Sequence, residues 1–392
     1  MSTFKFTGCV LLVTSCMIGG GILALPLIAY EFGLTLTYIF MIFAYTIMLI
    51  SGLLTLEICL KLPKNKNNFG SIAEHSFGKA GKYIVIIIAA IALYTVITAY
   101  ISASPAIFKN TFLFNINIPF EQAVLSLAFT IILGFIIICG IKYADKLNRI
   151  IMGFKLIVLF IALFLILFKM PFFHGFDIRS FQNFSEGFSI ILFVFSYQAI
   201  IPSLANYVGE EKTIYTKWII ITAVSLTFIA TTLWVTIVVS IIQPYSNEVG
   251  ARLSLNELLT VLSHYNFGDT TNLLLKMFFN ITLISSFIGL SIAFIDIWVD
   301  SLKFEPKFSN RLIGGLIVYI PCWIVANFDP NIFVTASAIS GYCGLFVALL
   351  LPSIVSFKEY KKQETIIIGG KFLRATMIII SLAVLITIVM KI

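Results

Sequence analysis

The sequence predicts an all-α polytopic membrane protein of eleven transmembrane helices, arranged as a 5+5 inverted repeat with helices 1 and 6 discontinuous. Three observations predict it. Of 392 residues, 60% are apolar and 11% charged, against roughly 45–50% and about 25% in soluble domains. The apolar residues fall in continuous runs of about 20, enough to cross a bilayer as helix, not in the ten-residue alternation of barrel strands. Two of those runs are interrupted, at matching places, by residues that helices avoid. The mean hydropathy of +1.04 leaves no room for a separate soluble domain, so residues 1–392 form one transmembrane domain.

Runs bounded by charge or turn residues give spans at about 6–32, 35–60, 83–107, 122–141, 150–168, 187–207, 218–242, 275–302, 312–326, 330–356 and 375–391. The first begins after Lys5, as a signal peptide would. It is too long for one, and no small-x-small cleavage site follows, so it is read as a span. The ninth is short and turns at Asn327-Phe328-Asp329-Pro330-Asn331 into the tenth. Repeat one covers about 6–168 and repeat two about 187–356; the span at about 375–391 is an addition. The loop 61–82 is expected to hold a short helix ending near Gly78. Ser254-Leu255-Asn256-Glu257 is a capping box, and Leu255, Leu258, Leu259 and Leu262 follow at helical spacing. A short amphipathic helix is expected there on the outer surface, serving either as packing or as a lid.

The net charge of +8 is a topology signal. With the N-terminus in the cytoplasm, nineteen of the 26 lysines and arginines lie in inner segments and six in outer ones, with Lys155 inside a span. Inner loops rich in Lys and Arg set this orientation. A nucleic-acid partner is not implied.

Catalytic constellations are missing. Cys9, Cys16, Cys59, Cys139, Cys322 and Cys343 lie in apolar runs without metal-like spacing and read as small buried hydrophobes. His75, His174 and His264 fall in loops, so no His-metal cluster is expected within the spans. Gly70 to Gly78-Lys79-Ala80 lacks phosphate-loop spacing. Gly19 to Ala24 formally fits GxGxxA, but no strand precedes it. The expectation is no enzyme, no cofactor and no metal, with any uphill transport drawing on an ion gradient.

The glycine triplet has another meaning. Span 1 reads Met17-Ile18-Gly19-Gly20-Gly21-Ile22-Leu23-Ala24-Leu25-Pro26, and span 6 reads Ser196-Tyr197-Gln198-Ala199-Ile200-Ile201-Pro202. Glycine costs a helix about 1 kcal/mol and proline about 3. Aligning Gly21 with Tyr197 and Pro26 with Pro202 gives one offset, 176 residues. Bare backbone at membrane depth is tolerated around a cavity or within protein. Paired interruptions in two halves point to a transport site in an inverted repeat; close packing plus an ordinary proline kink is the other reading.

Ionisable residues within spans are functional candidates by default, each costing roughly 2.5–3.5 kcal/mol at mid-span. Lys155 in span 5 either snorkels to the inner surface or points inward to occupy a cation site, loading and losing a proton; Ser285 and Ser286 in span 8 could meet it. Glu57 is near the inner end of span 2. Asp296 and Asp300 share a face of span 8, with Asp300 at the inner interface. Glu31, at the outer end of span 1, reads as solvated.

These residues resemble those of the hydroxy and aromatic amino acid permeases, most closely the bacterial tyrosine/tryptophan permeases, within the amino acid–polyamine–cation transporter superfamily. The resemblance rests on Met17 to Leu27, Leu56-Glu57 before Leu62-Pro63, Thr98-Ala99-Tyr100-Ile101-Ser102, Asn148-Arg149 with Lys155, Pro202-Ser203-Leu204, and Ser286-Phe287-Ile288-Gly289 running to Asp296 and Asp300. It implies a LeuT-like fold in which amides around Gly19, Gly20 and Gly21 meet the substrate carboxylate. Carbonyls near Met17, Ser196 and Tyr197, with Gln198 beside them, would meet its ammonium, and Tyr94 and Thr98 would line the side-chain pocket. Lys155 matches the lysine that stands in for sodium in proton-coupled relatives; Glu57, Ser285, Ser286 and Asp296 complete the ion-coupling set. Where the family usually has Gly-Phe-His, this chain has Ser196-Tyr197-Gln198, and Gln198 cannot titrate.

The expected function is proton-coupled import of an aromatic amino acid, tyrosine or tryptophan, by alternating access in a bacterial inner membrane. Its partners are the amino acid, protons and lipid. The alternatives are sodium-coupled transport or exchange of another neutral amino acid, and a receptor that binds without transporting. The receptor is disfavoured because no stretch suits a soluble signalling domain.

Overall fold

The computed structural model describes residues 3–62, 69–112, 120–139, 141–167, 177–179, 181–209, 213–243, 253–265, 268–302, 304–305, 307–329, 331–360 and 367–389. His174 and Pro330 lie outside them, as do the side chains of Asp300 and His264. Among the described residues every regular element is helical: α1 (Thr3–Met17), α2 (Gly21–Phe32), α3 (Leu34–Lys61), α4 (Phe69–Phe112), α5 (Glu121–Cys139), α6 (Ile141–Leu167), α7 (Phe184–Val194), α8 (Ile201–Val208), α9 (Thr213–Ile242), α10 (Leu255–His264), α11 (Asp269–Ser301), α12 (Phe308–Phe328), α13 (Phe333–Leu345), α14 (Leu351–Lys358) and α15 (Lys371–Val389).

Nine spans among these residues are long and apolar enough to cross a membrane, or ten if α1 and α2, bent by 55°, form one. The eleventh expected span corresponds to α15, which falls outside that count. In hydrocarbon each backbone polar group must find a partner within the protein, which is why these apolar runs are helices. Their hydroxyls bond back one turn, as Thr98 does to Tyr94 and Thr227 to Ala223. Gly78, at φ 72°, separates a short helix from the long span of α4, matching the helix expected in the 61–82 loop.

Following the helices in order puts the start of α1, the end of α3 and the end of α14 on one side of the protein, termed here the N-terminal side. The α2–α3 turn at Gly33 lies on the far side. On the N-terminal side Lys5 donates to the Tyr207 carbonyl (3.0 Å) and Lys61 to the Glu359 carbonyl (3.1 Å). On the far side, Asp177 accepts from the Leu34 amide and Arg179 donates to the Tyr30 carbonyl. Helices far apart in sequence interlock, with α6 packed on α11 and α4 on α13. Broken span 1 lies in the core, where Ile22 to Phe32 are all buried.

The capping box before α10 forms both of its bonds. All four of its leucines are buried while Asn256, Glu257 and Thr260 are exposed, so this amphipathic helix lies on the far-side surface with its apolar face packed into the protein.

Candidate substrate and ion site

The site starts from two helix ends. α1 stops at Met17, where the glycines begin. The Gly19 amide turns back to the Met17 carbonyl (2.8 Å), and Ile22 and Leu23 bond to Gly19 and Gly20 (3.2 and 3.0 Å). The Gly20 and Gly21 amides donate to no backbone carbonyl among the described residues. They sit at the N-terminus of α2, where orphan N–H groups and the helix dipole favour an anion. Pro26, inside α2, has no N–H for the Ile22 carbonyl one turn back. The Trp234 indole of α9 fills that role at 3.0 Å, so α2 tolerates its proline.

Span 6 breaks opposite. α7 ends at Val194, a single 3₁₀ turn covers Gln198–Ile200, and α8 begins with Pro202 in its first turn, where a missing N–H costs nothing. A β-carbon on Gly21 would lie 2.9 Å from Val194; the two breaks touch, and only glycine fits between them. Gly19, Gly21 and Ser196 are partly exposed at mid-span, between buried flanks.

Gln198 closes the second break from within. Its Oε1 accepts from the Tyr197 amide (2.9 Å) and the Ser196 hydroxyl (3.3 Å), and its Nε2 donates to the Met48 carbonyl of α3 (3.4 Å). The residue is fully buried. Met17 and Tyr197 carbonyls each accept one local bond, from Gly19 and Ile200; a carbonyl has two lone pairs, so each retains capacity for an ammonium.

Lys155 does not snorkel. It is 1% exposed, and its ammonium donates to the Ser15 carbonyl of α1 (3.2 Å) and the Ser285 hydroxyl of α11 (3.4 Å). It thus joins α6 and α11 to the last turn of α1, two residues before the break. The Ser15 hydroxyl returns to α6 at the Met152 carbonyl (3.2 Å). Ser286 faces elsewhere: its oxygen lies 3.4 Å from where a Gly19 β-carbon would be, and it interacts with the Tyr100 hydroxyl.

The chain matches the tryptophan/tyrosine permease family over residues 2–390. It belongs to that family. It is 28% identical to tyrosine-specific transport system 1 of Haemophilus influenzae, over 98% of this chain and 96% of that protein. It is 26% identical to a tryptophan-specific transport protein of Shigella flexneri, over 93% and 90%. It is also 24% identical to glutamine transporter 2 of Aliivibrio fischeri, over 92% and 91%. The chain is therefore a multi-pass membrane permease and not an enzyme.

Several residues expected at the permease site lie elsewhere. The Tyr94 hydroxyl donates to the Ile317 carbonyl of α12 (3.2 Å), and its ring meets Phe294 of α11 at 4.5 Å. Thr98, one turn on, shares that face. The face of α4 turned to the breaks carries Tyr100, whose ring lies against Gly20. Two residues beyond Tyr100, Ser102 borders a far-side cavity of about 370 Å³ that is also lined by Leu253–Glu257, at the start of α10, and by Asn331, Phe333 and Val334.

The acidic residues pair away from Lys155. Glu57 takes both oxygens to Arg374 Nη2 (2.7 Å each) and lies 3.7 Å from Lys61. Asp296 pairs with Arg311 (2.8 Å). Glu31 is 2% exposed and accepts from Asn183 (2.7 Å); the expectation of a solvated carboxylate is corrected, because the segment around Asp177 and Arg179 folds over the α2–α3 turn and covers it.

Proposed function

We propose that this permease imports an aromatic amino acid, tyrosine or tryptophan, with a proton, across a bacterial inner membrane, its N-terminus in the cytoplasm. The observation that carries the reading is the pair of touching breaks, with the Lys155 ammonium bonded to the chain two residues before one of them. A zwitterion needs donors for its carboxylate and acceptors for its ammonium. The Gly21 amide at the N-terminus of α2, beside the Gly20 amide that faces the Tyr100 hydroxyl, supplies the first, and carbonyls of the unwound stretches at Met17, Ser196 and Tyr197 the second. The tyrosine-specific and tryptophan-specific relatives of Haemophilus and Shigella favour an aromatic side chain.

Lys155 holds α1 against α6 and α11 while charged. Loss of its proton on the cytoplasmic side releases α1, and the carrier exchanges one access for the other. The far-side cavity beside α10 gives substrate its approach, with α10 as cover. One charge moving inward through 100 mV supplies ~2.3 kcal/mol, roughly 50-fold accumulation. Eleven spans in a 5+5 inverted repeat, with α15 as the addition, complete the architecture.

The test is uptake into proteoliposomes. Labelled tyrosine accumulates when an inward proton gradient is imposed, and a sodium gradient does not replace it. Lys155→Ala abolishes accumulation; undiminished concentrative uptake by that variant rejects the coupling role. A second substrate reading, another neutral amino acid, is favoured by the glutamine-transporting relative, and competition by all twenty amino acids separates the two.

A further inference from the structure

The capping box of α10 leaves half of a carboxylate free. Glu257 Oε2 accepts from the Ser254 amide (2.7 Å) and hydroxyl (2.9 Å), while Oε1 accepts no hydrogen bond among the described residues. Because α10 turns its leucines inward, Glu257 stands on the exposed face. There it lines the far-side cavity of about 370 Å³, a volume within the range of small-molecule sites, about 300–1,000 Å³. Among the described residues that line the cavity, Glu257 is the one charged side chain. Asp329, outside the lining, accepts from the amide of the lining residue Asn331 (3.0 Å) and adds charge of the same sign. Phe333 and Val334 supply an apolar wall. On the α4 side Ser102 stands two residues, about 3 Å of helix, from Tyr100, whose ring lies against Gly20. The cavity thus joins a fixed negative charge at the surface to the neighbourhood of the break in span 1.

We infer that this cavity is an entrance subsite for the amino acid, in which Glu257 receives the substrate's ammonium and turns away amino acids that carry a second carboxylate. This rests on the reading of the cavity as the substrate's approach. An exposed carboxylate is screened by water and salt. Its effect therefore falls on KM and on the choice among substrates, not on turnover. The charge separates neutral amino acids from acidic ones and leaves the choice among neutral ones to the breaks. The same side chain closes the capping box, so the selecting charge is held in a fixed place.

Glu257→Gln separates the charge from the cap, since glutamine at this position still closes a capping box. Labelled tyrosine is presented to the far side in membrane vesicles oriented with that side outward. Glu257→Gln is expected to raise KM for tyrosine about threefold to fivefold, with kcat within about twofold of wild type and the unfolding temperature unchanged. Competition by glutamate strengthens by a similar factor, and competition by tyrosinamide, which keeps the ammonium and lacks the carboxylate, weakens. Salt at about 0.5 M raises the wild-type KM toward that of the variant. Glu257→Ala, which opens the box, lowers the unfolding temperature as well. An unchanged KM for tyrosine in Glu257→Gln, or unchanged competition by glutamate, overturns the proposal. So does a fall in kcat and unfolding temperature that matches Glu257→Ala, which assigns the carboxylate to the cap alone. Absence of wild-type uptake from the far side sinks the approach reading itself, whereas normal far-side uptake with an indifferent Glu257→Gln sinks only the present inference.

Discussion

The Tyr100 ring occupies the space that a β-carbon on Gly20 would need, while its hydroxyl interacts with Ser286 and the Gly20 backbone. One aromatic residue of α4 thus braces the break in span 1 against α11. Gly20→Ala cannot be absorbed by a small shift, since the whole buried ring must move. We expect Gly20→Ala to abolish tyrosine uptake and counterflow. Tyr100→Phe keeps the brace but removes the hydroxyl, and should cost about tenfold in uptake, the worth of one hydrogen bond in a dry site. Normal uptake by Gly20→Ala would show that the ring and the glycine do not need each other.

Gln198 belongs to the backbone of the second break more than to its surface. Replacing it by leucine leaves the Tyr197 amide without its 2.9 Å partner, at a cost of about 1–3 kcal/mol. The expected outcome is a lower unfolding temperature and an equal fall in uptake of every substrate. A reordering of the competition ranking in Gln198→Leu would place the side chain in contact with substrate and contradict this.

Glu57 and Arg374 form a pair that is nearly dry on both sides, 4% and 0% exposed. Arg374 also bonds the Ser356 hydroxyl and the Gly369 and Gly370 carbonyls, so it pins α15 and the chain before it to α3 and α14. Removing one partner strands a buried charge, and Arg374→Met should destabilise by about 3–5 kcal/mol. Glu57→Leu combined with Arg374→Met should recover most of that loss. Thermal unfolding in detergent reads both; a double variant no more stable than the single would show that the charges are not each other's main partner.

The spans were legible because bilayer-crossing length and composition leave few choices, and the breaks because three glycines and Pro202 cannot continue a helix at no cost. Lys155 and Ser285 were legible as a charge and a hydroxyl in apolar runs. The facing of α4 was not. A helix apolar all round carries no stripe to orient it, so Tyr94 and Thr98 were as eligible as Tyr100, which stood in the quoted Thr98–Ser102 stretch without a role. Nor could sequence pair Glu57 with Arg374, 317 residues away, or supply Trp234 to the carbonyl that Pro26 leaves open. Glu31 read as solvated because the segment that covers it carries no regular pattern.

The most direct measurement is substrate protection at the second break. Ser196 is partly exposed at mid-span, so Ser196→Cys places a thiol where the bound amino acid would lie. Its labelling rate with N-ethylmaleimide is followed by mass spectrometry of that peptide, with and without saturating tyrosine or tryptophan. Substrate held between the breaks slows labelling strongly, and the effect disappears in Gly20→Ala. Labelling that proceeds at one rate with or without substrate, in a protein that still transports, would put the amino acid somewhere else.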